Sequence, residues 1–457
     1  MRRLSSLDAA FLRAETETGH MHVGWLSTLE LPAGADVLDV TALERRIASR
    51  LHLVPRFRQR VVEPPLGIGE PYWQDDTEFD LRRHITVLGV DLRLADVDRV
   101  AGAFLSRPLP RNRPLWEIAL IPRVGRRGAA VIGKIHHAMV DGVAAVELGM
   151  LLFDMSSEGT DGEPAAWDPA PPTGPVRLAI DSVGDSAIEQ FRAARRVAEL
   201  GLSPGRGLRV ADTMRRAAMS LAEDALRPAP ASYLNVPIGA DRALSVHGIP
   251  LRRLLRLKEN TNTTLNDVIL ATVAGAMRQL ARAVGEEPKD LRVMVPVNVR
   301  GSDDPRDGGN RITFAFIELP ISERDAAWRL ARIRDRMREL KSSDRVAGSD
   351  LLMRSLAALP APLKTSAARM AASPRLYNFT VSNVPGPRVP LYAAGARVRS
   401  IYPVIPVPDR HALAIGVLTY NGKANFTAYA DPSVLPQAKR LPMMLEDGAR
   451  ELELVAA

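Results

Sequence analysis

The 457 residues predict a mixed α/β protein of two domains, and three observations carry that prediction. The chain is too long for one ordinary hydrophobic core. Short β-branched runs, 129–136 and 291–300, alternate with segments of helical periodicity such as 263–285. Between the two groups, residues 156–175 turn to Gly, Pro, Asp and Thr, which is linker composition. The expected division is a domain at 1–155, a linker and basic helical segment at 156–232, and a second domain at 233–457.

Composition narrows the function classes. A hydrophobic content of 46% with mixed charge belongs to a globular chain. The absence of cysteine excludes a disulfide framework, thiolate catalysis and Cys-based zinc or iron–sulfur sites. No apolar h-region follows Met1-Arg2-Arg3, and no window reaches the roughly 18–20 apolar residues of a spanning helix. A cytoplasmic protein is expected, peripheral at the inner membrane or lipid droplets. The net charge of +8, carried mostly by arginine, favours anionic partners such as acidic lipid or coenzyme phosphates. With 5% aromatic residues and no recognised binding motif, nucleic acid is not expected.

In the first domain, Ser6 to Ala14 is expected as a short helix and Met21 to Leu31 as a strand. His20 and His22 are expected to face solvent and a pocket separately. Leu43, Ile47, Leu51 and Val54 mark an amphipathic helix ending at Pro55. PRFRQRV and PYWQDDTEFDLRRHI suggest strands and a loop, Val97 to Leu105 a helix, and PLWEIALIP a strand with Trp116 as its anchor. Residues 176–227, rich in Arg and Ala, suggest helix, either lying on an anionic membrane or covering a domain with a solvated charged face.

The second domain opens near Leu234 with a strand-like segment. The helix after it, capped by Thr264 or Asn266, buries Val268, Leu270, Thr272, Val273 and Met277. Strands at 291–300 and 308–320 follow, then an arginine-rich helix at 322–341 and an apolar, Pro-interrupted one at 351–372. YNFTVSNVPGP (377–387) suggests a strand whose Pro385-Gly386-Pro387 bend suits a crossing between domains. VRSIYPVIPV, HALAIGVLTYNGKANFTAYAD and a C-terminal helix are expected to finish the sheet, with Asn421-Gly422 as a type I′ hairpin turn.

The chemistry concentrates at AAVIGKIHHAMVDGVAAVELGM, residues 129–150. A buried strand would deliver His136-His137 to its C-terminal end, and a helix would start near Asp141-Gly142. Imidazole accepts a proton near neutral pH. Neighbours on an extended segment point to opposite sides, so the two histidines do not share one substrate, and His137 is taken as the base. Asp141 has two structural jobs open, capping the helix or pairing with a distant arginine. Spacing alone leaves a catalytic pair and a buried structural pair both open. Metal ligation lacks an HExxH or a second cluster.

HHAMVDG resembles the HHxxxDG motif of the bacterial wax ester synthase/acyl-CoA:diacylglycerol acyltransferase family. That family is similar to the chloramphenicol acetyltransferase-like fold of plant BAHD acyltransferases and peptide-synthetase condensation domains. Asp8, Phe11, MHVG, RPLWE, Asn266-Asp267, PVNVR, Gly309-Asn310 and SNVPGP match other family segments, in order from Leu4 to near Asp431. The resemblance implies two chloramphenicol acetyltransferase-like domains with the active site in an interdomain channel, and direct transfer from a long-chain acyl-CoA to diacylglycerol or a fatty alcohol. It implies His137, His136, Asp141, Gly142 and Asn266 as catalytic residues, with the Asn266 amide as a donor to the oxyanion. Asp267, Asn298, Arg300 and Asn383 are then the substrate-binding residues. No cofactor and no metal are expected, acyl-CoA being a substrate. The expected partners are acyl-CoA, a lipid alcohol, a membrane or lipid-droplet surface and a second copy in a homodimer. Two other readings stand beside this one: a condensation-type acyltransferase with a different acceptor, and a non-catalytic lipid-binding protein of the same fold.

Overall fold

In the computed structural model the described residues are 1–67, 69–89, 91–139, 149, 151–159, 162–201, 212, 215, 228–298, 312–342, 365–366 and 369–456. Helix α1 spans Ser6–Ala14, as expected, because Ser5 caps it by accepting the Asp8 N–H at 3.1 Å. It lies between β1 (Arg2–Arg3) and β2 (His22–Glu30). Helix α2 (Val40–Arg50) ends before the expected Pro55, and two short 3₁₀ turns, Leu51–Leu53 and Pro55–Arg58, carry the chain on. Next come β3 (Gln59–Val62), β4 (Tyr72–Asp75), β5 (Ile85–Val87), α3 (Val97–Leu105), β6 (Trp116–Val124) and β7 (Gly128–His136).

After the linker, α4 (Pro175–Gly201) opens the basic segment. Leu178 and Ser182 are buried, and Tyr72 donates to Asp185 at 2.7 Å, so this face seats the helix on the first half. The outward side of α4 carries apolar residues beside the exposed Arg177 and Arg195. Val176, Ile180, Val183 and Phe191 fall on one side at helical spacing and are 74%, 64%, 53% and 70% exposed.

The second half contains β8 (Ala243–Pro250), α5 (Leu251–Asn260), α6 (Leu265–Ala283), β9 (Leu291–Asn298), β10 (Ile312–Leu319), α7 (Ala326–Ser342) and β11 (Phe379–Pro385). Then follow β12 (Tyr392–Ala393), β13 (Ala396–Val404), β14 (Leu413–Tyr420), β15 (Lys423–Ala430) and α8 (Leu441–Ala456). Helix α5 was not anticipated. Most of the expected helix at 351–372 lies outside the described residues.

The described strands form two mixed six-stranded sheets, one ordered β12-β13-β2-β7-β6-β5 and the other β10-β9-β11-β14-β15-β8, and a small antiparallel sheet ordered β1-β4-β3. The first corrects an expectation, because β13 does not finish the second sheet. It pairs antiparallel with β2, from Arg397 opposite Glu30 to Val404 opposite Gly24. The interval 233–457 is therefore not closed on itself, and lends 392–404 to the first half. Pro385-Gly386-Pro387 makes that departure, and Gly386 is needed there: a Cβ would lie 2.2 Å from the Thr419 carbonyl oxygen. At the β14–β15 hairpin, Asn421 and Gly422 both have positive φ, 49° and 73°, as a type I′ turn requires.

The first sheet is covered on both faces, which explains the nearly unbroken apolar run of β7. Leu26, Ala130 and Ile132 join a core that continues through α3 and α6 into the second sheet. Leu29, Val131 and Ile135 join a separate core under α2 with Trp73 and Trp116. The glycine within β7, Gly133, admits the Trp25 ring, since a Cβ there would meet it at 2.0 Å. Trp116 is the anchor its sequence suggests: 0% exposed, donating from Nε1 to the Phe57 carbonyl at 2.8 Å and stacked on His84.

Candidate active site

Strand β7 ends at His136, and the chain turns at once into a 3₁₀ turn, His137–Met139. The turn is pinned from both sides. The His136 N–H donates to the Leu115 carbonyl at 2.9 Å and the His137 N–H to the Met21 carbonyl at 2.8 Å. The two rings then part, as extended backbone demands. His136 is fully buried, and its Nδ1 accepts the Ala138 N–H at 3.0 Å. Its proton is therefore on Nε2, which faces Glu15 Oε1 at 3.7 Å.

His137 is half-buried, with its ring stacked on Phe11 of α1 at a centroid distance of 3.7 Å and 15° between planes. Its Nδ1 is buried and has no hydrogen-bond partner among the described residues. Burial pushes its pKa down to about 4, with a contact to its own backbone carbonyl opposing and neighbouring His136 adding to the depression. The ring is unprotonated at neutral pH.

His20 and His22 do not separate as expected. Residues two apart on an extended segment share a face, and their rings stack at 5.4 Å. Both line a cavity between the halves with Gly24, Leu105, Arg242, Val404, Val407 and Tyr429. His22 stands opposite His136 across β2 and β7, and its Nε2 is 3.5 Å from Glu15 Oε1. The Glu15 carboxyl, also paired with Arg111, is held far below the usual carboxylate range: burial opposes ionisation, but His136, His22 and Arg111 outweigh it. Lys134, the charge inside β7, is fully buried and satisfied by the Phe104 and Arg107 carbonyls, at 3.1 and 2.8 Å, and by Glu117 at 3.1 Å.

The second half contributes amides. Thr264 caps α6 through a capping box with Asp267: Thr264 Oγ1 accepts the Asp267 N–H at 3.2 Å, and Asp267 Oδ2 accepts the Thr264 N–H at 2.8 Å. Asp267, 2% exposed, is thus the capping partner of Thr264, and its Oδ1 is buried with no hydrogen-bond partner among the described residues. Asn266 is half-buried in the first turn. Asn383 Nδ2 donates to Asn266 Oδ1 at 3.3 Å, joining two residues far apart in sequence. That bond uses the Asn266 carbonyl and leaves its amide NH₂ to point elsewhere.

Asn298 is the last residue of β9, opposite Ile312. Asp141, Gly142 and Arg300 lie outside the described residues, as does most of the helix expected after the pair. Phe11 and Glu15 are the neighbours sequence reasoning missed as site residues. Their signal was a spacing of four on a short helix ahead of the MHVG strand. Among the described residues no group of three or more His, Asp or Glu is arranged to hold a metal.

Comparison with known proteins settles the family. The wax ester synthase/diacylglycerol acyltransferase catalytic domain matches residues 4–269, and the C-terminal domain of the same family matches 308–453. The chain belongs to this acyltransferase family. A Mycobacterium tuberculosis protein named probable diacylglycerol O-acyltransferase tgs1 is 30% identical over 465 residues, covering 100% of this chain and 96% of that protein. A second from the same organism, tgs2, is 31% identical over 457 residues, with 98% and 97% covered. The wax ester synthase/diacylglycerol acyltransferase structure from Marinobacter aquaeolei VT8 aligns over the whole of both chains with a TM-score of 0.69 at 27% identity. The starter condensation domain of rhizomide synthetase, solved with C8-CoA, shares the fold, with a TM-score of 0.59 at 16% identity over 100% of this chain and 94% of that one. Like its family, the chain is an O-acyltransferase with the two-part architecture of those enzymes.

Proposed function

We propose that the protein transfers a long-chain acyl group directly from acyl-CoA to a lipid alcohol, diacylglycerol or a fatty alcohol, with His137 as the general base. The placement of His137 carries this reading: a neutral imidazole at the end of a buried strand, pinned by its backbone and backed by an aromatic ring. It accepts the alcohol proton as the oxygen attacks the thioester carbonyl. When the tetrahedral intermediate collapses, the imidazolium returns that proton to the departing CoA thiolate, so the base is regenerated. A pKa held near 4 keeps the ring ready, at a cost in basicity that the developing oxyanion offsets.

The oxyanion needs a donor, and Asn266 is the candidate. Asn383 ties up its carbonyl, so the amide N–H groups are the free end, and the first turn of α6 adds the positive end of a helix dipole. No covalent acyl-enzyme enters the scheme: the chain has no cysteine, and its GxSxG run, GLSPG at 201–205, follows helix α4 and not the strand that a nucleophile elbow needs. Acyl-CoA is a substrate, and no cofactor takes part. The lipid alcohol is met at an anionic membrane or lipid-droplet surface, and the exposed apolar side of α4 supports that partner.

The test is release of CoA thiol from palmitoyl-CoA with diacylglycerol and hexadecanol as parallel acceptors, in wild type and His137→Ala. Acceptor-dependent release that collapses in the variant supports the reading and ranks the acceptors. Release that neither acceptor raises, or a rate that survives in His137→Ala, overturns it.

A further inference from the structure

Helix α1 reaches both histidines of the pair, through two side chains one helical turn apart. Phe11 covers a face of the His137 ring at 3.7 Å. Glu15, the residue that ends the helix, places Oε1 3.7 Å from His136 Nε2 and 3.5 Å from His22 Nε2, and pairs with Arg111 through its other oxygen. His136 passes the constraint on, because its Nδ1 accepts the N–H of Ala138, the residue after His137. Chain and helix therefore hold the same turn: the backbone through Met21 and Leu115, the helix through one ring and one carboxylate. The helix is itself fixed by the Ser5 cap, by buried Ala9 and by the Arg13–Glu70 pair, so it is a firm base for such contacts.

Among the described residues the His137 Nδ1 has no hydrogen-bond partner, while the Phe11 ring lies nearly parallel against the imidazole. In enzymes that hold such a ring by hydrogen bonding, Nδ1 is the usual handle. Here the ring plane is defined by stacking. From this geometry we propose that α1 is a two-point clamp on the histidine pair. Phe11 sets the plane of the His137 ring, and Glu15, acting through His136, sets the backbone turn that carries it. Both are positioning residues, since neither touches the reacting atoms. The proposal rests on His137 being the base.

The experiment uses the full chain with Phe11→Ala, Phe11→Tyr and Glu15→Gln, following kcat and KM for palmitoyl-CoA, thermal melting, and the ring-proton resonances of His137 in histidine-labelled protein. Because misplacing a catalytic group by about 1 Å costs roughly 10²-fold, Phe11→Ala should lower kcat by about 10–100-fold and Glu15→Gln by about tenfold, with KM within about twofold. Phe11→Tyr keeps the stacked ring and should recover kcat to within about threefold of wild type. The Phe11→Ala and Glu15→Gln effects should combine less than multiplicatively, since both act through one ring. In Phe11→Ala the His137 resonances should move downfield as the ring current of the stacked phenyl is lost, and in Phe11→Tyr they should stay.

A kcat in either single variant within about twofold of wild type overturns the clamp. So does a loss in Phe11→Ala that follows the melting temperature and is not recovered in Phe11→Tyr, or a His137 resonance that ignores Phe11. The resonance reads the clamp even in a protein without acyl transfer. Failure of the functional reading shows separately, as a wild type that releases no thiol with either acceptor.

Discussion

The two halves present different chemistry to whatever enters between them. On the first sheet the polar groups titrate: Glu15, His20, His22, His136 and His137 lie around the ends of β2 and β7, and burial holds His20, His22 and His137 near a pKa of 4. On the second half they are amides that change no charge, the Asn266–Asn383 pair at the start of α6 and the end of β11. In the proposed scheme, proton movement and oxyanion donation thus come from opposite sides of the molecule. An acyl transfer that needs both is possible only while the halves stay docked. Their shared core, which runs from Leu26 and Ile132 through α3 to α6, makes docking part of folding.

The largest break in this division comes from removing the titrating side. His137→Ala should lower kcat by about 10²–10⁴-fold in the thiol-release assay, the range of a lost general base. On the amide side, Asn266→Ala should cost about 10²-fold in kcat. Asn383→Ala should cost about tenfold, since in the proposed scheme Asn383 orients the donor. Equal losses at the two asparagines would mean that both donate to the oxyanion.

Acid should separate the halves next. His20, His22, His84 and His137 on the first half have folded pKa values of about 4 against 6.5 in the unfolded chain, and His411 alone does so on the second among the described residues. Between those values the unfolded state binds more protons, so the stability these histidines govern falls as pH drops from 6.5 towards 4, and the depressed Glu15 carboxyl extends the loss to lower pH. Hydrogen exchange at pH 5 should therefore show the amides of β2 and β7 opening before those of β9 and β14. Uniform acceleration across both sheets would contradict the division.

The smallest expected effect lies outside it. Changing Ile180 and Phe191 on α4 to Asp should reduce co-sedimentation with vesicles containing anionic phospholipid several-fold, while kcat on a short-chain, soluble alcohol stays unchanged. Undiminished sedimentation would remove this face as the lipid contact.

Much of the fold was legible in local patterns. Ser6–Ala14 and Val97–Leu105 follow from capping and 3.6-residue periodicity, and the Asn421-Gly422 hairpin from its need for two positive φ values. Helix α5 escaped notice because LRRLLRLKEN follows a strand without a break and opens on no polar cap; Pro250 precedes it. The capping role of Asp267 was not legible because a capping carboxylate and a ligand carboxylate look alike in sequence, and only the Thr264 partner shows the cap.

The sequence by itself determined the strand-to-turn passage at His136-His137, the central helix α6, the linker and, through ordered motifs, the family. These depend on residues near one another in the chain, or on patterns read directly along it. Only the tertiary structure decided that β13 would cross to the first sheet, that Asn383 would orient Asn266, and that Phe11 and Glu15 would close on the histidine pair. Each of those joins residues separated by more than a hundred positions. Their pairing is set by how the sheets and helices pack, and no local propensity encodes it.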